Sequence, residues 1–194
     1  MPAKSNRQRM QFPSRSPLRQ GALDGLCGVY SIVNALRLLC REIDRSKSEE
    51  LFQVLLKSLD CKKNNAMTIA CYGMSGLMLT RLLLLAIKHV QSEFGIEIIL
   101  GKMPKGYRAN ANLETIWCEL SRRMNDGGVA IIGLFGRHEH WTVALAISKK
   151  SVNLFDSDGM RVLRRAGCTT GQASRRYGVC SRNLFFLHRP RRCY

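Results

Sequence analysis

The sequence predicts an α+β fold in which helices occupy the first half of the chain and strands follow. Apolar residues recur with the 3.6-residue period of a helix in three segments before residue 95. Later runs are short, apolar and rich in β-branched residues, and two of them flank a polar turn at Ser148-Lys149-Lys150. Helices that precede strands, rather than alternate with them, favour N-terminal helices packed on a C-terminal antiparallel sheet.

The three early helices are predicted from their apolar faces. They cover residues 28–40, 48–59 and 75–94. Ser48 is the expected N-cap of the second helix, and Gly95 ends the third. The third helix is apolar almost all round, which indicates that it is largely buried. Residues 61–74 are predicted as a loop or a short element.

The second half of the chain contains one more helix and most of the sheet. Asn112 is expected to cap a helix that ends near residue 125. The predicted strands cover residues 96–103, 129–135, 141–147, 151–155 and 183–188. The run at 129–135 lacks polar alternation, which is typical of a central strand buried on both faces.

Basic residues are concentrated at the two ends of the chain. Of 31 basic residues, five lie in residues 1–20 and nine in residues 159–194, and neither segment contains an acidic residue. We therefore expect a basic flexible arm over residues 1–19, followed by a single domain over residues 20–194 with an arginine-rich end. Such ends favour an acidic partner, namely nucleic acid, an anionic membrane surface or an acidic protein. The alternative is that they only keep the protein in solution.

The cysteines and the apolar segments bear on location. There are eight cysteines, several of them inside apolar periodic segments, and the polar, basic N-terminus does not resemble a secretory signal. Free thiols in a reducing cytoplasm are therefore expected, with delivery into another cell as the alternative. No C-x-x-C pair occurs, and the leucine-rich segment at 76–90 is too short and too charged for a membrane span. We expect no metal, no cofactor and no transmembrane segment.

Three residues supply the chemical groups of a cysteine nucleophile and its activating pair. Cys27 lies at the predicted start of the first helix, where the helix dipole favours a negatively charged sulfur. His140 begins one strand of the predicted hairpin and Asp156 follows the other, so that counting from the turn places them nearly opposite each other. A thiol, an imidazole and a carboxylate together can perform nucleophilic catalysis.

Each of these residues has a simpler interpretation when taken alone. A cysteine at a helix start is usually a packing residue, and the sequence around Asp156 is an ordinary turn. His138 is a rival base, and with His140 it forms a His-x-His pair that could bind a metal if further ligands were present. The joint pattern, in this order and on these elements, favours catalysis.

The pattern resembles the papain-like cysteine peptidase superfamily. The residues that carry the resemblance are Gln20, Cys27-Gly28, His140-Trp141-Thr142-Val143 and Asp156, with the apolar strand at 129–134 before the histidine strand. Within the superfamily the sequence is most similar to the bacterial double-glycine-leader peptidases of bacteriocin exporters and their stand-alone relatives. The resemblance covers residues 20–158 and implies a papain-like fold.

The resemblance also implies an activity and a set of roles. The implied activity is cleavage of an amide bond, by a peptidase or isopeptidase, through a thioester intermediate. The implied roles are nucleophile for Cys27, general base for His140, orienting partner for Asp156 and side-chain oxyanion donor for Gln20. Asn34 or main-chain N–H groups are the alternatives to Gln20. The substrate would be a protein or peptide, which the basic ends could recruit if it is acidic.

Other functions remain open at this point. The same machinery can deamidate glutamine or transfer an acyl group to an amine. A toxin or effector on the same scaffold could act on RNA through His140, as the net charge of +17 suggests. A non-catalytic module could bind an acidic partner through its arginines, and it would lose binding steeply with salt.

Overall fold

A computed structural model of the chain describes residues 15–21, 24–60, 66–108, 111–171 and 177–190. The helices are α1 Cys27–Leu39, α2 Arg45–Asp60, α3 Ala66–Tyr72, α4 Gly76–Phe94 and α5 Leu113–Asn125. The strands are β1 Ile99–Lys102, β2 Val129–Gly136, β3 His140–Ile147, β4 Ser151–Leu154, β5 Val162–Arg164, β6 Cys168–Thr169 and β7 Tyr177–His188. This arrangement confirms the predicted α+β class, with helices followed by a C-terminal antiparallel sheet.

The strands form one sheet in the order β1-β7-β2-β3-β4-β5, with every neighbouring pair antiparallel. The short β6 pairs with β7 in parallel. The last strand therefore returns between β1 and β2 and lies inside the sheet. The sequential strands β2, β3 and β4 remain neighbours, as the predicted hairpin requires.

Both faces of the sheet are covered by helices. Val129 and Ile131 of β2 belong to a core shared with α1, α2 and α4, whereas Ala130 and Ile132 belong to a second core shared with α5. Alternate side chains of one strand thus enter two different cores. This explains why the sequence of β2 is apolar throughout rather than alternating.

Residues 15–21 lie along α1. The Arg15 guanidinium donates hydrogen bonds to the main-chain oxygens of Arg41 and Ile43, at 2.7 and 2.8 Å, just beyond the C-terminal end of α1. The buried Asn34 accepts from the N–H of Leu18 at 2.8 Å and donates to its oxygen at 3.0 Å. Residues 1–14 of the predicted arm lie outside the described residues, but its last five residues are held on the domain.

Two details of the helical half differ from expectation. Helix α2 begins at Arg45, and the residue that caps it is Asp44, whose side chain accepts from the N–H of Lys47 at 2.9 Å. Ser48 lies inside the helix, buried, with its hydroxyl bonded back to the Asp44 oxygen. Part of the predicted loop at 61–74 is helix α3, which is too short to show a periodic pattern.

The sheet also extends further than predicted. Strands β5 and β6 were not expected, and β7 begins at Tyr177 rather than at residue 183. Glycine disfavours strands, but Gly178 pairs with Phe135, and a β-carbon there would lie 2.3 Å from the Phe135 ring. Packing of that ring, rather than local propensity, therefore accounts for the early start of the strand.

Two further observations concern apolar helices and cysteines. No helix among the described residues is long and apolar enough to cross a membrane. The cysteines in the described part of the chain are free thiols, and Cys27, Cys40 and Cys168 are buried. The other three described cysteines are Cys71, Cys118 and Cys180.

Candidate functional site

Cys27 is the first residue of α1, and a tight turn holds it there. Asp24 accepts the N–H of Gly21 with one carboxylate oxygen, at 2.7 Å, and that of Leu26 with the other, at 3.2 Å. The N–H of Gly25 bonds to the oxygen of Ala70 in α3, and a β-carbon on Gly25 would lie only 2.6 Å from that oxygen. Because only glycine fits this contact, α3 fixes the approach of the chain to Cys27.

The start of α1 provides a positive electrostatic environment for the Cys27 sulfur. No side chain caps the first turn, and no acidic residue lies within it. The first N–H groups of a helix have no intrahelical partner, and they carry the positive end of its dipole. These groups can stabilise a thiolate and can also bind a substrate oxygen that becomes negative.

His140 and Asp156 form a buried pair beside Cys27. The Nε2 atom of His140 lies 2.7 Å from Oδ2 of Asp156, and their side chains are only 3% and 1% exposed. The His140 ring is also hydrogen-bonded to the Cys27 side chain. Since Nε2 is engaged by Asp156, Nδ1 is the ring nitrogen left for Cys27.

The Asp156 carboxylate is held by both of its oxygens. While Oδ2 bonds to His140, Oδ1 accepts the N–H groups of Asp158 and Met160 at 2.9 and 3.0 Å. The turn that the local sequence indicates is therefore present, and the same side chain orients the histidine.

Counting from the turn predicts that His140 and Asp156 lie nearly opposite each other across the hairpin. The observed register differs from this prediction. Ala144 pairs with Leu154, and the N–H of Phe155 bonds to the oxygen of Val143. One residue further on, the same register places Asp156 opposite Thr142, which is two positions after His140. A register shift between Ala144 and Ala146 brings Asp156 one position closer to His140, and the side chains meet diagonally.

Burial and charge act in opposite directions on this pair. Burial alone lowers the pKa of His140, but the hydrogen bonds and negative charges of Asp156 and Cys27 outweigh it and raise the pKa to about 9. Burial raises the pKa of Asp156, but the charge of His140 and the hydrogen bonds from His140, Thr142 and the main chain of Met160 together outweigh it, and the pKa is lowered. At neutral pH the raised pKa of His140 and the lowered pKa of Asp156 therefore favour an imidazolium beside a carboxylate.

Gln20 is anchored next to Asp156 through Ser157. Its N–H donates to the Ser157 oxygen at 3.1 Å, and its Oε1 accepts from the Ser157 hydroxyl at 3.3 Å. Its Nε2 has no hydrogen-bond partner among the described residues, so it can donate to a ligand. Asn34, the alternative donor, uses both ends of its amide on Leu18.

His138 occupies a different environment from His140. Its side chain is 41% exposed, and its Nε2 lies 3.9 Å from a carboxylate oxygen of Asp158. The rings of His138 and His140 are 5.1 Å apart, which is ring contact without a hydrogen bond. Among the residues that the structure describes, no group of three or more His, Cys, Asp and Glu side chains could hold a metal ion.

Three hydrogen-bonding residues that support the site were not predicted. The Ser31 hydroxyl donates to the oxygen of Trp141 at 2.8 Å and fixes α1 against β3. The Trp141 indole N–H donates to the oxygen of Met74 at 2.9 Å, and Ser157 positions Gln20. Ser31, Met74 and Ser157 have ordinary local sequences. Their contacts depend on pairings across 67 to 137 residues, which no local pattern reports.

No protein-family model, curated protein or solved structure matches the chain. The geometry around Cys27 is therefore the observation that bears on function.

Proposed function

We propose that this chain is a papain-like cysteine hydrolase that cleaves an amide bond in a protein or peptide, as a peptidase or isopeptidase. The observation that carries the proposal is the continuous series from the Cys27 sulfur through the His140 ring to the Asp156 carboxylate, buried at the start of a helix. A nucleophile, a base and a group that orients the base are the components such a reaction needs.

The reaction would proceed in two steps. The Cys27 thiolate attacks the carbonyl carbon, and the main-chain N–H of Cys27 and Nε2 of Gln20 bind the developing oxyanion. The His140 imidazolium gives its proton to the leaving nitrogen, so that the C–N bond breaks and an amine departs from a thioester. His140, now neutral, takes a proton from water, and the resulting hydroxide displaces the Cys27 sulfur and releases the acid.

Deamidation and acyl transfer begin with the same thioester and differ only in the leaving group or the acceptor. The choice of peptide-bond cleavage rests on the resemblance of the Cys27 and His140 segments to the double-glycine-leader peptidases. The RNA alternative has less support, because the His140 side chain is 3% exposed and both neighbours of its ring are protein groups. We also propose a cytoplasmic location, because the described cysteines are free thiols and a reducing compartment keeps them so.

The decisive experiment measures which thiol reacts first. The native protein is treated with less than one equivalent of iodoacetamide at about pH 6, where ordinary thiols are almost entirely protonated. Peptide mass mapping then locates the label. We expect Cys27 to react first, because its environment favours the thiolate, whereas burial raises the pKa of Cys40 to about 12 and that of Cys168 to about 11. The exposed Cys71 and Cys118 are free thiols and provide the comparison in the same sample.

Two variants make the result specific to the proposed pair. His140→Ala should slow labelling of Cys27 by at least about tenfold, because the imidazolium that stabilises the thiolate is lost. His89→Ala is the matched control, since His89 lies on α4 and pairs with Glu50 instead. Equal labelling of Cys27 and Cys71, or no difference between the two variants, would contradict an activated Cys–His pair.

A further inference from the structure

A cavity lies away from Cys27, at the opposite end of β3 from His140. It has a volume of about 790 Å³ and is formed by the β3–β4 turn, strand β5, the short helical turn at Arg165–Gly167 and the first residue of α5. The length of β3 places it roughly 25 Å from the histidine. None of its lining residues belongs to the candidate site described above.

The cavity has an apolar floor. Its apolar lining residues are Leu113, Val162, Ala166 and Cys168. Strand β5 buries Leu163 beneath the sheet and presents Val162, 45% exposed, together with Arg164 on the outer side. An exposed β-branched side chain inside a concave surface can contribute apolar contact to a ligand.

Four cationic side chains surround this floor, from Lys149, Lys150, Arg164 and Arg165. Arg165 is held in place, since it pairs with Glu114 and its guanidinium lies 5.7 Å from the centre of the Trp117 ring. The other three have no acidic partner in the part of the chain that the structure describes.

Elsewhere in the described chain, several arginines have such partners. Arg45 bonds to Glu49, and Arg189 bonds to Glu42, both at 2.8 Å. Charges of one sign that are crowded together repel each other, so an anionic ligand at the cavity would lower their mutual repulsion.

We propose that this cavity binds an acidic segment of a protein partner, in which carboxylate side chains alternate with apolar ones. The carboxylates would pair with Lys149, Lys150 and Arg164, and an apolar side chain would rest on Val162. Nucleic acid fits less well, because no aromatic side chain lines the cavity on which a base could stack. An apolar centre with a charged rim is the usual composition of a protein-binding surface. The proposal does not depend on the chemistry of Cys27.

The test uses the full chain and a fluorescein-labelled peptide of about 12 residues in which Glu and Val alternate. Binding is followed by fluorescence anisotropy at about 0.15 M salt. The cavity variant K149Q/K150Q/R164Q should bind this peptide at least about tenfold more weakly, because three charge contacts are lost. The matched control K57Q/R81Q/K88Q removes the same charge from exposed positions on α2 and α4 and should bind as the original chain does.

Two further measurements decide the nature of the ligand and the independence of the site. A peptide with Ser in place of Val should bind about tenfold more weakly if the apolar floor takes part, and Val162→Asp should abolish that difference. Cys27→Ala should bind the Glu-Val peptide unchanged, so a failure of the proposed hydrolase would leave this result standing.

Several outcomes would overturn the proposal. Equal losses in the cavity and control variants would mean that net charge alone attracts the peptide. Tighter binding of a labelled oligouridylate than of the peptide, lost in the cavity variant only, would assign the cavity to nucleic acid. Equal binding of the Glu-Val and Glu-Ser peptides would show that the apolar floor does not contact the ligand.

Discussion

Asp156 holds the His140 ring and also stabilises its own turn at residues 156–160. Its oxygens accept hydrogen bonds from the His140 ring and from the main-chain N–H groups of Asp158 and Met160. The carboxylate therefore cannot rotate without breaking the turn, and the ring is held with Nε2 toward Asp156. This restraint keeps Nδ1 available for the Cys27 side chain, as general-base catalysis requires.

Substitution of this carboxylate should change the protonation of the histidine. In Asp156→Asn the carboxylate that raises the pKa of His140 is lost while burial remains, so this pKa should fall below about 9. Titration of the ring signals by NMR measures this directly. Asp158→Asn is the control, because Asp158 lies near His138 instead. A His140 pKa that is the same in both variants would show that Asp156 does not set the charge of the ring.

At the scale of the secondary-structure elements, α1 is fixed on several sides. Ser31 joins it to β3, Asn34 joins it to Leu18, and Arg15 occupies the oxygens beyond its C-terminal end. A cation near the last carbonyl groups also interacts favourably with the negative end of the helix dipole. These contacts hold the helix that presents Cys27, and two of them come from the segment that leads to Gln20.

Arg15→Ala should therefore destabilise the protein, although the residue belongs to a segment that the sequence suggests is a flexible arm. Hydrogen bonds from a charged donor each contribute about 1.5 kcal/mol or more, and partial exposure reduces this, so we expect a loss of about 2 kcal/mol in the free energy of unfolding. Urea denaturation measures it. Arg19→Ala, at an exposed position four residues on, should change the free energy by less than about 0.5 kcal/mol. Similar values for both variants would mean that the segment is not held by Arg15.

Local patterns predicted the elements that local chemistry determines. Helix α5 begins after Asn112, whose side chain accepts the Thr115 N–H at 2.8 Å, and α4 ends at Gly95 with φ of 64°. The hairpin of β3 and β4 also follows from its turn. The insertion of β7 between β1 and β2 could not be predicted, because strand order depends on contacts between distant segments.

In the candidate site, too, local sequence predicts some features, whereas others depend on contacts between distant segments. Cys27, His140 and Asp156 could be chosen from sequence because each has a distinctive chemical group at an element boundary. The register of the hairpin and the bond between Ser157 and Gln20 could not be predicted. A bulge shifts the register by one residue, and 137 residues separate Gln20 from Ser157.

At the scale of the whole molecule, the buried ion pair sits in a protein of strongly positive charge. The net charge is +17, so the protein repels a further proton, yet the pKa of His140 is raised to about 9. The local negative groups therefore outweigh the long-range field, since distant charges are screened by water and salt whereas a buried neighbour is not. The protonated histidine should thus stabilise the folded state, and this contribution should depend on pH.

The pair should contribute most to stability between about pH 4 and 6.5. The folded pKa of His140 lies above its ordinary value of 6.5, so its contribution is complete below that pH and is lost as the pH rises through about 9. Asp156 has a lowered pKa, so its contribution to stability is complete at neutral pH and is lost only as the pH falls below the ordinary value of 3.8.

Between pH 6 and 9.5 we expect the free energy of unfolding of the original chain to fall by about 3 kcal/mol more than that of His140→Gln, since one pKa unit corresponds to about 1.4 kcal/mol. Urea denaturation across this range measures the difference, and His89→Gln should follow the original chain. Parallel curves for the original chain and His140→Gln would mean that folding does not raise the pKa of the histidine.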